Sequence, residues 1–339
     1  MANNVTFRSG LVGGLADFCN ESHLPLISNP LIFVELIVLL ARYKEEGVGL
    51  HPKVYITNDI NLCNAMIGNA EKIKIGAGGA NEDGIKQAIK KCAPLAKGSW
   101  CIYIHDQNQS IEFGVFRGSS NITAVPIDDV LLSDNEGLIV VKAFQVADEC
   151  VEVKCSNNRS HYIFLNHVKD DSPPPLQHLK DLVAAVCQKV VEDERESIES
   201  FLYNVLIEGL RESHGCLIAV TSMKLAPSIL KEDGVFLEEP IDFVSLVSNA
   251  NKDLVLFEYL VSKVDLLKGM LNSDGIILFD NVGRLLGYNC FIKISQKARV
   301  IGGARKRAYS SLKENVGKKG IVAAFMQSQD GWTEFEVKS

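Results

Sequence analysis

The chain runs to 339 residues with a formal net charge of −7, 47% hydrophobic and 23% charged side chains. That length is long for one domain and comfortable for two, and the composition is that of a globular protein. The longest apolar run, 31–41, is broken by Glu35 and is too short to span a bilayer, which excludes a membrane-spanning class.

No basic stretch followed by an apolar leader opens the chain, so a cytoplasmic location is expected. The nine cysteines include no C-x-x-C pair, and free thiols in a reducing compartment are the expectation. Cys150, Cys155, His161 and His167 fall near one another, but their irregular spacing does not match a zinc site.

In chain order, periodicity predicts a helix over 30–43, a strand over 53–56 and a second strand over 72–75. The second strand runs into Gly76-Ala77-Gly78-Gly79, and a helix is predicted over 82–92. A glycine cluster between strand and helix can cradle a phosphate. This one lacks the dinucleotide fingerprint and the P-loop lysine-serine pair, so a plain turn is the expectation. Strands are predicted at 100–104, 111–116, 122–125, 137–143, 150–154 and 162–164. Residues 1–168 thus read as a separate N-terminal α/β (α+β) domain.

Charge followed by prolines at Lys169-Asp170-Asp171-Ser172-Pro173-Pro174-Pro175 marks a linker. Helices are predicted over 176–191 and 193–212, so 169–194 reads as linker and connecting helix, with a second domain over 195–339. That domain opens on a strand near 214–220, followed by helices around 226–231 and 254–271. Asp274-Gly275 then leads a strand over 276–279, a hairpin turn over 280–283 and a second apolar run over 285–294. A helix over 305–313 and a strand over 320–326 close the pattern. Helices alternating around a mixed sheet make this an α/β domain.

One stretch carries chemistry. Gly302-Gly303 opens onto the helix that begins with Ala304, Arg305, Lys306 and Arg307. A free helix N-terminus offers unpaired N–H donors and a partial positive charge, which suits phosphate. Between 293 and 319 nine basic residues face one acid, Glu314, in an otherwise acidic chain. A solvated basic face accounts for the charge alone; the glycines, which let a ligand approach the backbone, point further.

Asp274-Gly275-Ile276 and Gly303-Ala304-Arg305-Lys306-Arg307-Ala308 together resemble the diadenylate cyclase family, the nucleotide-binding domain first known from the DNA integrity scanning protein. That family carries Asp-Gly-Ala and, downstream, Gly-Thr-Arg-His-Arg-Ala. The stretch from Ser213-His214-Gly215 to Val220 resembles the family's His-Gly strand. Ser328-Gln329-Asp330-Gly331 resembles its Ser-Glu-Glu-x-Gly stretch. The likeness covers residues 195–339. It departs from the family pattern at Ile276, Ala304, Lys306 and Gln329, while Asp274, Arg305 and Arg307 are kept.

The resemblance implies condensation of two ATP into cyclic di-AMP with release of pyrophosphate. Asp274, Gly275, Arg305 and Arg307 would be catalytic; Gly303, Ala304, Lys306, Ser328, Asp330 and His214 would hold nucleotide and phosphate. Magnesium or manganese would need oxygen ligands, with Asp274 the candidate. Cyclases of this family are often fused to N-terminal sensor domains, so residues 1–168 are expected to regulate output. Because one domain would hold one ATP, a homodimer or higher oligomer with face-to-face domains is expected. The four departures favour an alternative, a degenerate domain that binds ATP or a cyclic dinucleotide without turnover. A third class, nucleic-acid binding through the basic patch, lacks interleaved aromatics beyond Tyr309 and ranks last.

Overall fold

The structure is a computed structural model. It describes all residues except 1–14, 17, 69, 120–125, 134–136, 148, 157–159, 166–174, 214, 225, 231–233, 251, 293–302, 329–331 and 339. The chain divides into two compact units, Met1–Val168 and Lys169–Ser339, each an α/β fold around one mixed sheet. No described helix is long and apolar enough to cross a membrane.

The first unit contains α1 (Pro30–Arg42), β1 (Val54–Thr57), α2 (Ile60–Met66), β2 (Glu71–Gly79), α3 (Glu82–Cys92), β3 (Cys101–Asp106) and β4 (Ser110–Arg117). It continues with α4 (Ile127–Leu131), β5 (Val140–Ala147), β6 (Cys150–Cys155) and β7 (Ser160–Phe164). The seven strands of its main sheet run in the order β2-β4-β3-β1-β5-β6-β7, with β1 and β3 parallel; Lys44–Glu45 and Val48–Gly49 form a separate two-stranded sheet. Helices α1 and α3 cover one face, burying Phe33, Ile37, Leu40, Ile85 and Ile89 against Val54, Ile56, Ile102 and Ile104.

The opposite face carries Tyr55, Tyr103 and Phe116, with the short helix α4 above them. That helix, which the sequence did not reveal, is tied to the sheet by an ion pair between half-buried Asp128 and buried Lys142; the Tyr55 hydroxyl also donates to Asp128. Burial works against the Lys142 ammonium, but Asp128 and Glu152 outweigh it and hold its pKa above the ordinary value. Glu152 in turn accepts hydroxyls from Ser160 and Tyr162.

The glycine cluster corrects the expectation of a turn. Gly76, Ala77, Gly78 and Gly79 continue β2 and pair with Phe113, Glu112, Ile111 and Ser110 of β4. A Cβ on Gly76 would lie 2.9 Å from the Phe113 ring, and one on Gly78 would lie 3.5 Å from the Gly84 Cα. The glycines are small so that a ring and the start of α3 can press on the strand. The strand expected at 122–125 lies outside the described residues.

In the second unit, α5 (Pro175–Val186) and α6 (Glu192–Glu212) precede β8 (Cys216–Thr221), β9 (Val235–Asp242) and α7 (Phe243–Ala250). Then come α8 (Leu254–Leu271), β10 (Ile276–Asp280), β11 (Arg284–Cys290), α9 (Ala304–Lys313), β12 (Ile321–Gln327) and β13 (Thr333–Val337). The helix expected over 226–231 is a single 3-10 turn, Ser228–Leu230. The sheet order is β9-β11-β10-β8-β12-β13; β8 and β10 are parallel and every other pair is antiparallel. On one face α9 buries Tyr309 and Leu312 against Leu217, Leu278 and Ala324. Helix α5 packs on β12 and β13, so this part of 169–194 belongs to the second fold rather than to a free linker.

His178 of α5 anchors that packing. Its ring is 9% exposed, and its Nδ1 lies 2.9 Å from Thr333 Oγ1 on β13. Burial holds its pKa below the ordinary 6.5, against the opposing pull of Asp181 and Glu334. The neutral ring is therefore favoured in the fold, and the unfolded chain takes up the proton first. Stability is expected to fall as pH drops from about 6.5 toward the folded value. Urea unfolding of the full chain between about pH 7.5 and 5.5 checks this, and His178→Gln should flatten the dependence. An unchanged slope in that variant would remove His178 as its source.

Candidate functional site

Strand register assembles the site. Because β8 and β10 are parallel with Leu217 opposite Ile276, Gly215 and Asp274-Gly275 leave the sheet at the same edge. Strand β12 runs antiparallel to β8 with Cys216 opposite Gln327, so Ser328 emerges at that edge too. The N-terminus of α9 reaches the same place. A Cβ on Gly215 would come within 2.5 Å of Arg305 Nη1 and 2.7 Å of the Gln327 carbonyl oxygen. The Arg305 guanidinium therefore lies directly over Gly215, where only a glycine leaves room.

Both glycines are also required by the backbone. Gly215 has φ +93° and Gly275 φ +91°, a left-handed conformation that side chains rarely adopt. A Cβ on Gly275 would lie 2.8 Å from the Asn289 backbone and 2.9 Å from the Cys290 carbonyl oxygen. The glycine of the Asp-Gly pair thus lets β10 start against the end of β11. Asp274 itself is exposed, and no described residue hydrogen-bonds or ion-pairs with it. Its carboxylate is free to take a cation or a hydroxyl proton.

Helix α9 starts with Gly303 as an extended N-cap, with no side-chain cap and no acid in the first turn. Helix N-termini favour acidic side chains. Here Arg305, Lys306 and Arg307 add positive charge to the positive end of the dipole. Gly303, Ala304, Lys306 and Arg307 are exposed and Arg305 is half-buried. Lys306 leans toward Glu334 at 3.8 Å, a loose surface pair. Burial pushes the Cys216 thiol up to about 12 while nearby Arg305 pulls the other way. Burial therefore favours the protonated thiol over the nucleophilic thiolate.

Two expected residues look different in place. The Ser328 hydroxyl accepts the Trp332 N–H at 2.9 Å and its own N–H donates to Trp332 O at 2.7 Å, closing the β12–β13 turn. Its first role is structural, with only the hydroxyl proton left for a ligand. Ile276 is 1% exposed and packs in the cluster beneath α9, so its bulk is absorbed by the core. His214 and Asp330 lie outside the described residues. Asn289, beside Gly275 with φ +51°, escaped the sequence reading; an asparagine inside an apolar run was the available signal.

No group of three or more His, Cys, Asp or Glu residues among the described residues could by itself hold a metal ion. Cys150 and Cys155 lie five positions apart on β6 and so point to opposite faces of the sheet, and all nine cysteines are buried free thiols. His167 lies outside the described residues. No family model matches this chain, and no curated protein matches it either.

Proposed function

We propose that residues 169–339 form a nucleotide-handling unit of the diadenylate cyclase type, which condenses two ATP into cyclic di-AMP and releases two pyrophosphates. One observation carries the reading: three cations crowd an acid-free helix N-terminus, with Arg305 seated over Gly215 at the strand edge that also presents Asp274. Such an arrangement favours an anion at the helix start.

In this reading Arg305 and Arg307 grip phosphate oxygens, and the open N–H groups of α9 add donors. Asp274 receives the 3′-hydroxyl proton as that oxygen attacks the α-phosphate of the second ATP. The α–β phosphoanhydride bond then breaks and pyrophosphate leaves. Asp274 would be the residue to hold magnesium or manganese, which would supply charge neutralisation at the phosphates. One unit offers half of the reaction, so two copies face each other about a two-fold axis. Residues 1–168 act by permitting or blocking that apposition. A substrate of ATP and nine unpaired thiols suit a reducing cytoplasm.

A second reading, binding without turnover, is favoured by two observations. Ala304 brings no hydroxyl to the helix start, and the Ser328 hydroxyl is engaged in its own turn. Incubating the full-length chain with ATP and manganese or magnesium, then seeking cyclic di-AMP by mass spectrometry, decides between them. Product establishes the cyclase. Absent product with ATP or cyclic di-AMP still bound establishes the binding module, and absence of both overturns the site.

A further inference from the structure

Helix α8 is apolar on two opposite faces. Leu260, Val264, Leu267 and Leu271 are buried on the side that packs against α6 and α7. The outer face carries Val255, Tyr259 and Leu266 at 66%, 49% and 44% exposure, and Leu254 and Leu256 are open as well. Five of the fifteen large hydrophobic side chains exposed among the described residues thus lie on this one helix. Surface helices ordinarily set charge opposite their buried stripe, so a second apolar face calls for a second partner.

The spacing of the outer face gives the packing geometry. Val255, Tyr259, Ser262, Leu266 and Gly269 follow at intervals of four, three, four and three residues, the heptad seam of a two-stranded coiled coil. The Ser262 hydroxyl donates to the Tyr259 carbonyl oxygen at 2.7 Å, so covering it strands no donor. A Cβ on Gly269 would meet no atom within 4 Å, so the seam is open to its end. Bulky Tyr259 and Leu266 alternate with small Ser262 and Gly269, and a knob on one helix therefore finds a hole on another like it.

Charge selects the occupant and its direction. Glu258 and Asp265 flank the seam on one side and Lys263 on the other, where its ammonium lies 4.8 Å from the Tyr259 ring centroid. In a parallel pair of α8 helices, Glu258 faces Lys263 of the second copy, twice by symmetry, and Asp265 faces no charge. In an antiparallel pair Glu258 faces Asp265 and Lys263 faces its own counterpart, so like charges meet throughout. The seam is complementary to a parallel copy of itself.

We propose that α8 pairs in parallel with α8 of a second copy of this chain, about a two-fold axis along the seam. The pairing covers Val255, Tyr259 and Leu266 of each copy. It needs no nucleotide and does not rest on the cyclase reading.

Sedimentation equilibrium of the full-length chain without nucleotide tests this. The wild-type chain should associate, and Leu266→Asp should weaken the association roughly thirtyfold or more. Leu266 points outward, so the fold should survive the change, and circular dichroism checks it. Glu258→Lys and Lys263→Glu should each weaken association about fivefold, and the two together should restore it to within about twofold. A monomeric wild-type chain, or association unmoved by Leu266→Asp, overturns the proposal. So does tighter association from Glu258→Lys alone, the result of antiparallel pairing, or a double variant no better than either single one. Formation of cyclic di-AMP is a separate measurement that none of these outcomes decides, so the two readings fail independently.

Discussion

Replacing Arg305 by alanine is expected to weaken ATP or cyclic di-AMP binding by roughly 30- to 150-fold, the loss of about 2–3 kcal/mol from charge-assisted bonds to phosphate. The guanidinium is half-buried over Gly215, where water screens it less than the exposed Lys306 and Arg307. Lys306→Ala should therefore cost far less, because that ammonium already leans toward Glu334. Asp274→Asn separates chemistry from binding. It keeps shape and removes only the charge of an exposed carboxylate with no partner, so affinity should hold within about threefold while product falls by roughly 10²-fold or more. Calorimetric titration and product mass spectrometry on the same preparations read both effects. Undiminished product from Asp274→Asn would remove the proposed role of that carboxylate. Unchanged affinity in Arg305→Ala would move the phosphate elsewhere.

Gly84→Ala should destabilise the first unit by about 3 kcal/mol, although glycine to alanine in a helix ordinarily stabilises. Gly84 lies in the first turn of α3, where the Asn81 side chain caps its N–H at 2.9 Å. A Cβ there would sit 2.0 Å from the Gly79 carbonyl oxygen and 3.3 Å from Ile111 Cδ1. The obstacle is backbone, which cannot rotate aside. Relief requires α3 to lift from β2, opening the core at Ile85, Ala88 and Ile89. Urea unfolding in a Trp332→Phe background follows this unit alone through Trp100 fluorescence. A midpoint equal to or above that of the parent would show that α3 does not approach β2 so closely.

The helices at 82–92 and 254–271 follow the sequence periodicity residue for residue, because each alternates a buried stripe with a solvated face over several turns. The Asp280–Gly283 hairpin was equally legible, since a turn signal between two apolar runs is a local fact. Strands β9 and β13 were missed. Both lie at sheet edges, and their Glu238, Glu239, Glu334 and Glu336 read as loop when no neighbour is known. The short helix α7 was lost with β9.

The residue types of the site were visible in the chain itself. A glycine opening a helix, three cations on its first turns and an Asp-Gly pair before a strand are patterns that single residues and their immediate neighbours determine. What brought Gly215, Asp274 and Arg305 to one edge was the parallel register of β8 with β10 and the docking of α9 across them. Such pairing depends on contacts between residues some sixty positions apart, which periodicity does not encode. The same distance effect turned Gly76–Gly79 from an apparent turn into a strand. Local sequence shows only that those positions lack side chains; the helix that needs the space is supplied by the tertiary fold.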